Sequence, residues 1–219
     1  MSESVERFRE EYREQFIGPR YSGWLHFAFT ASASTALIVF CIGHVHAVKT
    51  WEWLAIPLTF VYANFAEYFG HRGPMHHPRK FLGKIFERHT RQHHRFFTET
   101  EMAFGSSRDF KAVLFPPILV FFFLFAFGTP ITLLLSWGIS GNVAWLFAAT
   151  GTAYFLNYEF LHFAYHVPQD SWISRLPGVS RLRRHHTLHH DQGLMVHYHF
   201  NITYPIADWF MGTLHRPIK

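Results

Sequence analysis

Cysteine is nearly absent from this chain of 219 residues, and the one copy, Cys41, lies inside an apolar run. A single thiol excludes a disulfide framework and the cysteine spacings of zinc ribbons and iron–sulfur sites. The chain also lacks a His-Glu-x-x-His zinc-protease motif, a Gly-x-Ser-x-Gly nucleophile elbow and a phosphate-binding loop. No motif therefore points to a zinc protease, a serine hydrolase with a nucleophile elbow or a phosphate-loop protein.

Histidine, in contrast, is abundant, with 18 copies in the chain. Neutral imidazole is a good ligand for zinc, iron, copper and nickel. Ten histidines in four short clusters exceed the ligand number of one first-row ion, so the sequence predicts two metal ions. The predicted ligands are His71, His76, His89, His93, His94, His162, His166, His186, His189 and His190.

Helical spacing predicts which histidines act together. Side chains three and four residues apart lie on the same face of an α-helix. Three clusters have this spacing, and each is expected to point at a common centre: His89 with His93, His162 with His166, and His186 with His189 and His190.

The pair His71 and His76 differs, because residues five apart do not share a face of a straight α-helix. Gly73 and Pro74 lie between them. Proline is disfavoured inside a helix but favoured in its first turn. We therefore expect one helix to end near His71 and a new helix to begin at Pro74, which would re-aim His76.

Four long apolar segments indicate an all-α integral membrane protein. The segments contain 25, 19, 24 and 23 residues, against the roughly 20 that cross a bilayer. Short links join the first two and the last two, which predicts one membrane domain built of two helical hairpins. The predicted transmembrane segments are residues 24–48, 51–69, 112–135 and 143–165.

The distribution of positive charge predicts the orientation. Of 20 lysines and arginines, 19 lie before residue 24, within 72–111 or after 165, and none lies in the link 136–142. By the positive-inside rule both termini and all four clusters are cytoplasmic. Segments 71–111 and 166–219 would then form a cytosolic helical cap that holds the metals. The net charge of +5 fits this topology and anionic lipid headgroups, and no nucleic-acid-binding motif is present.

Residues 1–20 carry Val5, Phe8, Tyr12 and Phe16 at spacings of three to four. This pattern predicts a short amphipathic helix that either lies on the membrane surface or packs on the rest of the protein. The stretch lacks the apolar core and cleavage site of a secretory signal, so we expect it to be retained.

Three carboxylates are candidates for supporting the ligands. Glu67 and Glu159 lie within predicted spans, where ionisable residues are costly and usually functional. Asp191 directly follows the last cluster. Each is expected either to accept a proton from a ligand imidazole, which fixes its tautomer, or to pair with a nearby arginine.

The histidine spacing resembles that of a known family. The spacings are similar to the signature of the fatty acid hydroxylase/sterol desaturase superfamily of integral-membrane di-iron enzymes: His71-x4-His76, His89-x3-His93-His94, His162-x3-His166 and His186-x2-His189-His190. Outside the histidines, two short motifs resemble those of fatty acid 2-hydroxylases: Phe115-Pro116-Pro117 and Asp208-Trp209-Phe210-Met211-Gly212-Thr213. The resemblance extends from about Glu67 to Leu214.

This resemblance implies oxygen-dependent chemistry on lipids. Members use two iron ions, O2 and two electrons to remove hydrogen from an unactivated C–H bond, and then deliver a hydroxyl group or form a double bond. The metal centre, rather than any side chain outside it, is then the catalyst. Zinc is expected in some purified samples, because imidazole sites accept both metals.

The leading hypothesis is a hydroxylase of a lipid acyl chain. Alternatives in the same superfamily are a desaturase and a sterol, carotenoid or lipid-headgroup hydroxylase. The second cluster has three intervening residues where hydroxylases usually have two, a variant shared with acyl desaturases. A membrane metal transporter or sensor is the alternative from another class, but the ionisable residues cluster at one end of the spans.

The resemblance also suggests the partners and further site residues. Related fungal and animal enzymes often carry a cytochrome b5 domain, for which this chain has no room. The electrons are therefore expected from a separate protein of the ferredoxin or cytochrome b5 type. After the last cluster, His197 and His199 are candidates for extra ligands or supporting groups, and Asn201 for a residue that holds a metal-bound water.

Overall fold

A computed structural model describes residues 2–215 of the chain. These residues form helices joined by turns, and within them the one β pairing is an isolated bridge between Thr98 and Glu101. The predicted all-α class is confirmed. In chain order the helices are α1 (Glu3–Phe16), α2 (Gly23–Gly43), α3 (Ala55–Gly70), α4 (Gly83–Phe86), α5 (His94–Phe96), α6 (Phe110–Val113), α7 (Pro117–Phe123), α8 (Thr129–Gly138), α9 (Gly141–Tyr165), α10 (Val179–His189) and α11 (Ile206–Phe210).

Wider and tighter helical turns interrupt this series. Three of them are π-helical, at His71–Met75, Glu87–His93 and Leu124–Gly128. Three others are 3-10 turns, at Thr50–Leu54, Ser107–Asp109 and Trp172–Arg175. The first two π-helical turns carry predicted ligands: His71 lies in one, and His89 and His93 lie in the other.

The chain divides into two compact units. The histidine unit comprises residues 2–23, 64–114 and 160–215, and it contains all four histidine clusters. The apolar unit comprises residues 24–63 and 115–159. Helices α3 and α9 begin in the apolar unit and end in the histidine unit.

Two segments are long and apolar enough to cross a membrane, Gly23–Gly43 and Ser107–Gly138. Large side chains of the second segment are exposed, among them Phe125 at 65%, Leu134 at 64% and Trp137 at 89%. A core helix of a soluble protein buries such residues, so their exposure fits contact with lipid. The spans predicted at 51–69 and 143–165 correspond to α3 and α9, and four spans in total stay a prediction.

The structure corrects two of the predicted segment bounds. The first segment was expected to continue to residue 48, but α2 ends at Gly43, and Ala47 adopts the left-handed region with φ of +46°. The segment 112–135 begins with a break, because Pro116 and Pro117 cannot continue α6 as one helix. A helix restarts at Pro117, where proline is favoured.

A buried carboxylate joins the two short links of the apolar unit. Glu52 is 2% exposed, and it accepts hydrogen bonds from the Ser140 hydroxyl (2.5 Å), the Asn142 amide (3.0 Å) and the backbone N–H of Lys49 (2.7 Å). Three donors satisfy the buried charge. The two turns are therefore held to each other.

Helix α1 packs within the histidine unit. Its N-terminus is capped by the Ser2 side chain, which accepts a hydrogen bond from the backbone N–H of Val5. Tyr12 is 2% exposed, and its ring lies edge-on to Phe96 with centroids 5.2 Å apart. Of the two predicted roles for this helix, the structure supports packing on the protein.

Candidate metal centre

The predicted ligands converge in two buried groups. Within each group the potential ligand atoms lie within 4.8 Å of one another. Cluster A consists of His71, His76, His89, His94 and His189, and cluster B of His93, His166, His186 and His190. His162 adjoins cluster B, with its Nε2 atom 3.2 Å from that of His93. All ten side chains are at most 7% exposed.

The Nε2 atoms of cluster A face one central point. The Nε2 atom of His76 lies 3.1 Å from that of His71, 2.9 Å from that of His189 and 3.1 Å from that of His89. The Nε2 atom of His89 is also 2.7 Å from that of His71 and 3.1 Å from that of His94.

Cluster B has the same arrangement. The Nε2 atom of His186 lies 3.1 Å from that of His166 and 3.0 Å from that of His190. The two clusters are neighbours, since the ring of His94 in cluster A stacks on that of His190 in cluster B with centroids 4.3 Å apart.

A π-helical turn explains how His71 and His76 meet. The prediction of a new helix at Pro74 is wrong, because Pro74 lies inside the π-helical turn His71–Met75 that directly follows α3. Hydrogen bonds in a π-helix join residues five apart, so such residues succeed each other along one face. The wide turn thus brings together two side chains that a straight α-helix would separate.

The second π-helical turn, Glu87–His93, divides its cluster. His89 and His94 are five apart and share cluster A, whereas His93 belongs to cluster B. The expectation that His89 and His93 point at one centre is therefore wrong. Its basis was α-helical spacing, which this turn does not have.

Helix α10 also serves both clusters. His186 and His190 are four apart and lie in cluster B, as helical spacing predicts. His189 points to cluster A, so the expectation of one common centre for all three histidines is also wrong. Adjacent residues on a helix point about a quarter turn or more apart, which lets one helix contribute to two neighbouring sites.

Backbone carbonyls fix the tautomers of five rings. A carbonyl oxygen can only accept, so the Nδ1 atom that faces it carries the proton, and the Nε2 atom of that neutral ring holds a lone pair. The donor rings and acceptor residues are His71 to Phe200 (2.5 Å), His93 to Ala112 (2.8 Å), His166 to Met102 (2.8 Å), His189 to Tyr198 (3.2 Å) and His190 to Phe97 (2.7 Å).

This arrangement fits a bound cation. In cluster A the lone pairs of His71 and His189 point at one centre, and in cluster B those of His166 and His190 point at another. Two lone pairs cannot hydrogen-bond to each other. Nitrogen ligands about 2.1 Å from a metal and at right angles to each other are about 3 Å apart. The Nε2 separations of 2.7 to 3.2 Å match this spacing. The residues present therefore suit one first-row ion in each cluster.

The rings are neutral and ready to bind. Burial lowers the pKa of His71 to about 4 and that of His190 to about 3. Burial, and then repulsion from neighbouring imidazoles, lowers the pKa of His76, His89 and His186 well below the ordinary value. A neutral imidazole is the form that binds a metal.

The predicted supporting carboxylates bind backbone groups. Glu67 accepts hydrogen bonds from the backbone N–H groups of Ile202 and Thr203, and from the Thr203 hydroxyl at 2.6 Å. Glu159, in the apolar unit, accepts from the backbone N–H of Phe115 at 3.2 Å. Asp191 accepts from the backbone N–H of Gly193 at 2.8 Å. For the five rings above, the acceptor that fixes the tautomer is a carbonyl rather than a carboxylate.

The three candidates after the last cluster lie outside both groups of ligand atoms within the described residues. His197 is exposed. His199 is buried with a left-handed φ of +61°, and its Nδ1 atom lies 2.8 Å from Nδ1 of His185. The Asn201 amide donates to the Asn64 carbonyl and accepts from a backbone N–H, at 3.0 Å each.

Asp208 is a residue that the site analysis of the sequence did not single out. Its buried carboxylate accepts hydrogen bonds from the backbone N–H groups of Phe200 (2.9 Å) and Asn201 (2.7 Å) and from the Thr213 hydroxyl (2.6 Å). It thereby holds the segment whose carbonyls orient His71 and His189. The sequence feature that could have identified it is its position at the start of the motif Asp208–Thr213, which resembles that of fatty acid 2-hydroxylases.

The described residues therefore place two adjacent imidazole clusters in one unit of an all-α chain. A comparison with protein families gives a match to the fatty acid hydroxylase family over residues 56–213, which include all ten clustered histidines. Neither curated proteins nor solved structures give a match. The family is membrane-associated, typically iron-dependent and composed of oxidoreductases, and the predicted resemblance is confirmed. The match extends over most of the chain, and the chain belongs to the fatty acid hydroxylase family.

Proposed function

We propose that this protein is an O2-dependent di-iron hydroxylase that acts on a C–H bond of a lipid acyl chain. The observation that supports it most is the adjacency of two buried, imidazole-only clusters with Nε2 lone pairs facing inward. All-nitrogen sites of this kind suit iron. The family match supports oxidation of a lipid.

The ten clustered histidines would hold two iron ions, with His162 added to the four members of cluster B. Bound iron would supply the activation of O2 that removes hydrogen from an unactivated C–H bond. The five backbone carbonyls hold the rings in the binding tautomer before the metal arrives, as supporting hydrogen bonds do in other metal sites. Zinc is expected in some purified samples, since imidazole binds both metals.

The surrounding rings keep water away from the centre. Tyr68, Phe97 and Phe200 are 0% exposed. The ring of Phe97 lies 4.1 Å from that of His166, and the ring of Phe200 lies 6.3 Å from that of His71, measured between centroids. Exclusion of water protects a strong oxidant from side reactions.

We propose a multi-pass membrane protein with four spans, and with both termini and the active site on the cytoplasmic side. The two apolar segments that are long enough to span a membrane and the concentration of positive charge support this. A lipid substrate is available from the bilayer itself. The electrons would come from a separate donor of the ferredoxin or cytochrome b5 type, and no nucleic-acid partner is proposed.

The test is lipid mass spectrometry of a host that expresses the wild-type chain under 18O2. A His189→Ala variant removes one ligand of cluster A, and His197→Ala, which changes an exposed histidine, is the matched control. The metal content and helical circular dichroism of each purified protein are measured in parallel.

We expect a lipid that is heavier by one labelled oxygen in the wild type and the control, and absent in His189→Ala. A lipid that has lost two hydrogens and gained no label would identify the protein as a desaturase and not a hydroxylase. A labelled sterol, carotenoid or headgroup would identify a hydroxylase whose substrate is not an acyl chain. Absence of stoichiometric metal in the wild type would contradict the di-metal proposal.

A further inference from the structure

One loop carries two of the acceptors that orient cluster B. The carbonyl of Phe97 accepts the Nδ1 proton of His190 at 2.7 Å, and the carbonyl of Met102 accepts that of His166 at 2.8 Å. Residues 96–102 link α5 to the following segment, and we call them the acceptor loop. Its conformation decides where two cluster B rings can point.

Arg9 of α1 holds the opposite side of the acceptor loop. Its Nε atom donates to the carbonyl of Phe96 at 2.8 Å, and its Nη2 atom donates to the carbonyl of Glu101 at 2.7 Å. Each of these carbonyls immediately precedes one of the two that the ligands use. Phe97 is extended, with φ of −119° and ψ of 121°. Successive carbonyls of an extended backbone point to opposite sides, so the Phe96 carbonyl faces Arg9 and the Phe97 carbonyl faces His190.

Aromatic rings also connect Arg9 to cluster B. The Arg9 guanidinium lies 4.9 Å from the Phe96 ring centroid and 5.6 Å from that of Phe97, and Arg9 is 4% exposed. The other neighbour of the Phe97 ring is His166, with centroids 4.1 Å apart. A buried cation with two hydrogen bonds and two aromatic faces is strongly held in place.

A second arginine of α1 anchors the next segment. Arg13 forms a two-pronged ion pair with the buried Asp109, at 2.8 and 2.9 Å. Asp109 in turn accepts from the backbone N–H of Gly105 (2.9 Å) and precedes α6, whose Ala112 carbonyl orients His93. All three acceptors of cluster B thus lie on segments that α1 holds.

Cluster A is supported from elsewhere. Its carbonyl acceptors are those of Tyr198 and Phe200, in the segment held by Asp208, and the Thr90 hydroxyl lies 3.4 Å from Nδ1 of His76. The family match begins at residue 56, so α1 lies outside it. Helix α1 also packs against α5, which carries His94 of cluster A, but the tautomer-fixing carbonyls next to its hydrogen bonds are those of cluster B.

We propose that α1 is a clamp for cluster B, with Arg9 as the positioning residue that fixes the acceptor loop and, through it, His166 and His190. The inference rests on the proposed two-metal site. Its consequence is that the two metals differ in their dependence on α1: the metal in cluster B needs Arg9, and the metal in cluster A does not.

The experiment compares four variants with the wild type in detergent. Arg9→Gln removes the charge and both strong donors, whereas Arg9→Lys keeps the charge but supplies a single ammonium in place of the two-pronged donor. Arg13→Gln removes the ion pair with Asp109, which precedes the segment that orients His93, and leaves Arg9 unchanged. Arg7→Gln is the matched control, because Arg7 is on the same helix but exposed and paired with Glu3. Each protein is stripped with a chelator and titrated with Zn²⁺, and bound metal and helical circular dichroism are recorded.

We expect the wild type and Arg7→Gln to bind about two zinc ions, one in each cluster. Arg9→Gln should bind one with unchanged affinity and the other at least about tenfold more weakly, with Arg9→Lys intermediate. A weaker effect of Arg13→Gln would support the specific role of Arg9 over general docking of the helix. Retained wild-type affinity at both sites in Arg9→Gln, or equal loss at both sites with full helical content, would overturn the clamp. A wild type that binds no zinc would instead overturn the two-metal proposal on which the clamp rests.

Discussion

The Nε2 atoms of His71 and His89 lie 2.7 Å apart, although 18 residues separate the two histidines in the chain. His71 opens one π-helical turn and His89 lies in the next. Both rings belong to cluster A. Cluster B takes His93 from the second of these turns, His186 and His190 from α10 and its end, and His166 from the residue after α9. This arrangement leads to predictions about each cluster separately.

Removal of one ligand should affect one cluster. His89→Gln is expected to weaken metal binding in cluster A, and His186→Gln in cluster B, because each variant loses a central Nε2 atom of its own cluster. Each purified variant should hold about one metal in place of about two, measured by elemental analysis per protein. His197→Gln, at an exposed position, should retain the full amount. Equal loss of both metals in a folded variant would mean that the clusters do not bind independently.

Asp208 should matter for cluster A although it contacts neither metal group directly. Asp208→Asn removes the charge that accepts the backbone N–H groups of Phe200 and Asn201. Support groups of this kind typically contribute about 10- to 100-fold to metal affinity. We expect a weakening of that size for one of two zinc ions in a titration, with the other unchanged. Asp191→Asn, which alters only a local turn contact to Gly193, is the control.

Acid should destabilise the metal-free protein in a defined pH window. Burial lowers the pKa of His71 to about 4, whereas an unfolded histidine has an ordinary pKa of about 6.5. Between these values the unfolded state binds protons that the folded state does not, so unfolding free energy falls as the pH falls, by up to about 1.4 kcal/mol per pH unit for each such ring.

The measurement is thermal unfolding of chelator-treated protein in detergent at about pH 7.5, 6.5 and 5.5. The midpoint should fall between the first two pH values and fall more steeply between the second and the third. A midpoint that stays constant down to about pH 5.5 would show that the folded rings bind protons as readily as the unfolded ones.

The start of α2 should tolerate no side chain. A Cβ atom at Gly23 would lie 1.8 Å from the Ser107 carbonyl oxygen and 2.7 Å from the Phe110 ring. Gly23→Ala is therefore expected to cost about 1 to 3 kcal/mol of stability, as overpacked sites do. Gly43→Ala, at the other end of the same helix, meets nothing within 4 Å and should be close to neutral. The comparison is made by thermal unfolding in detergent, and equal midpoints for the two variants would contradict the close approach.

The proposed topology predicts which loops are reachable from outside the cell. In a Cys41→Ala background, Ser136→Cys marks the last turn of α8, next to the link to α9, and Asp170→Cys marks the segment after α9; both positions are exposed. A maleimide that does not cross membranes should label position 136 in intact cells and position 170 only after lysis. The reverse pattern would invert the orientation, and labelling of both positions in intact cells would contradict the one proposed span, 143–165, that lies between them.

The sequence by itself determined the all-α class, the family and the ten clustered histidines. Hydrophobic length and histidine spacing are local properties, and the family match depends on the same residues. The spacing also predicted correctly that His186 and His190 act together, because α10 is a regular helix at that point.

Only the tertiary structure decided how the ten rings divide between two sites. Two π-helical turns replace α-helical spacing by steps of five, so His89 joins His94 and His93 goes to the other cluster. The carbonyls that fix the tautomers are far in the chain from the rings they contact: the Phe200 carbonyl contacts His71, and the Phe97 carbonyl contacts His190. Every residue has such a carbonyl, so nothing in the residue types marks the ones that are used. Their selection, and the role of Arg9 behind the acceptor loop, depends on long-range packing that a linear pattern does not contain.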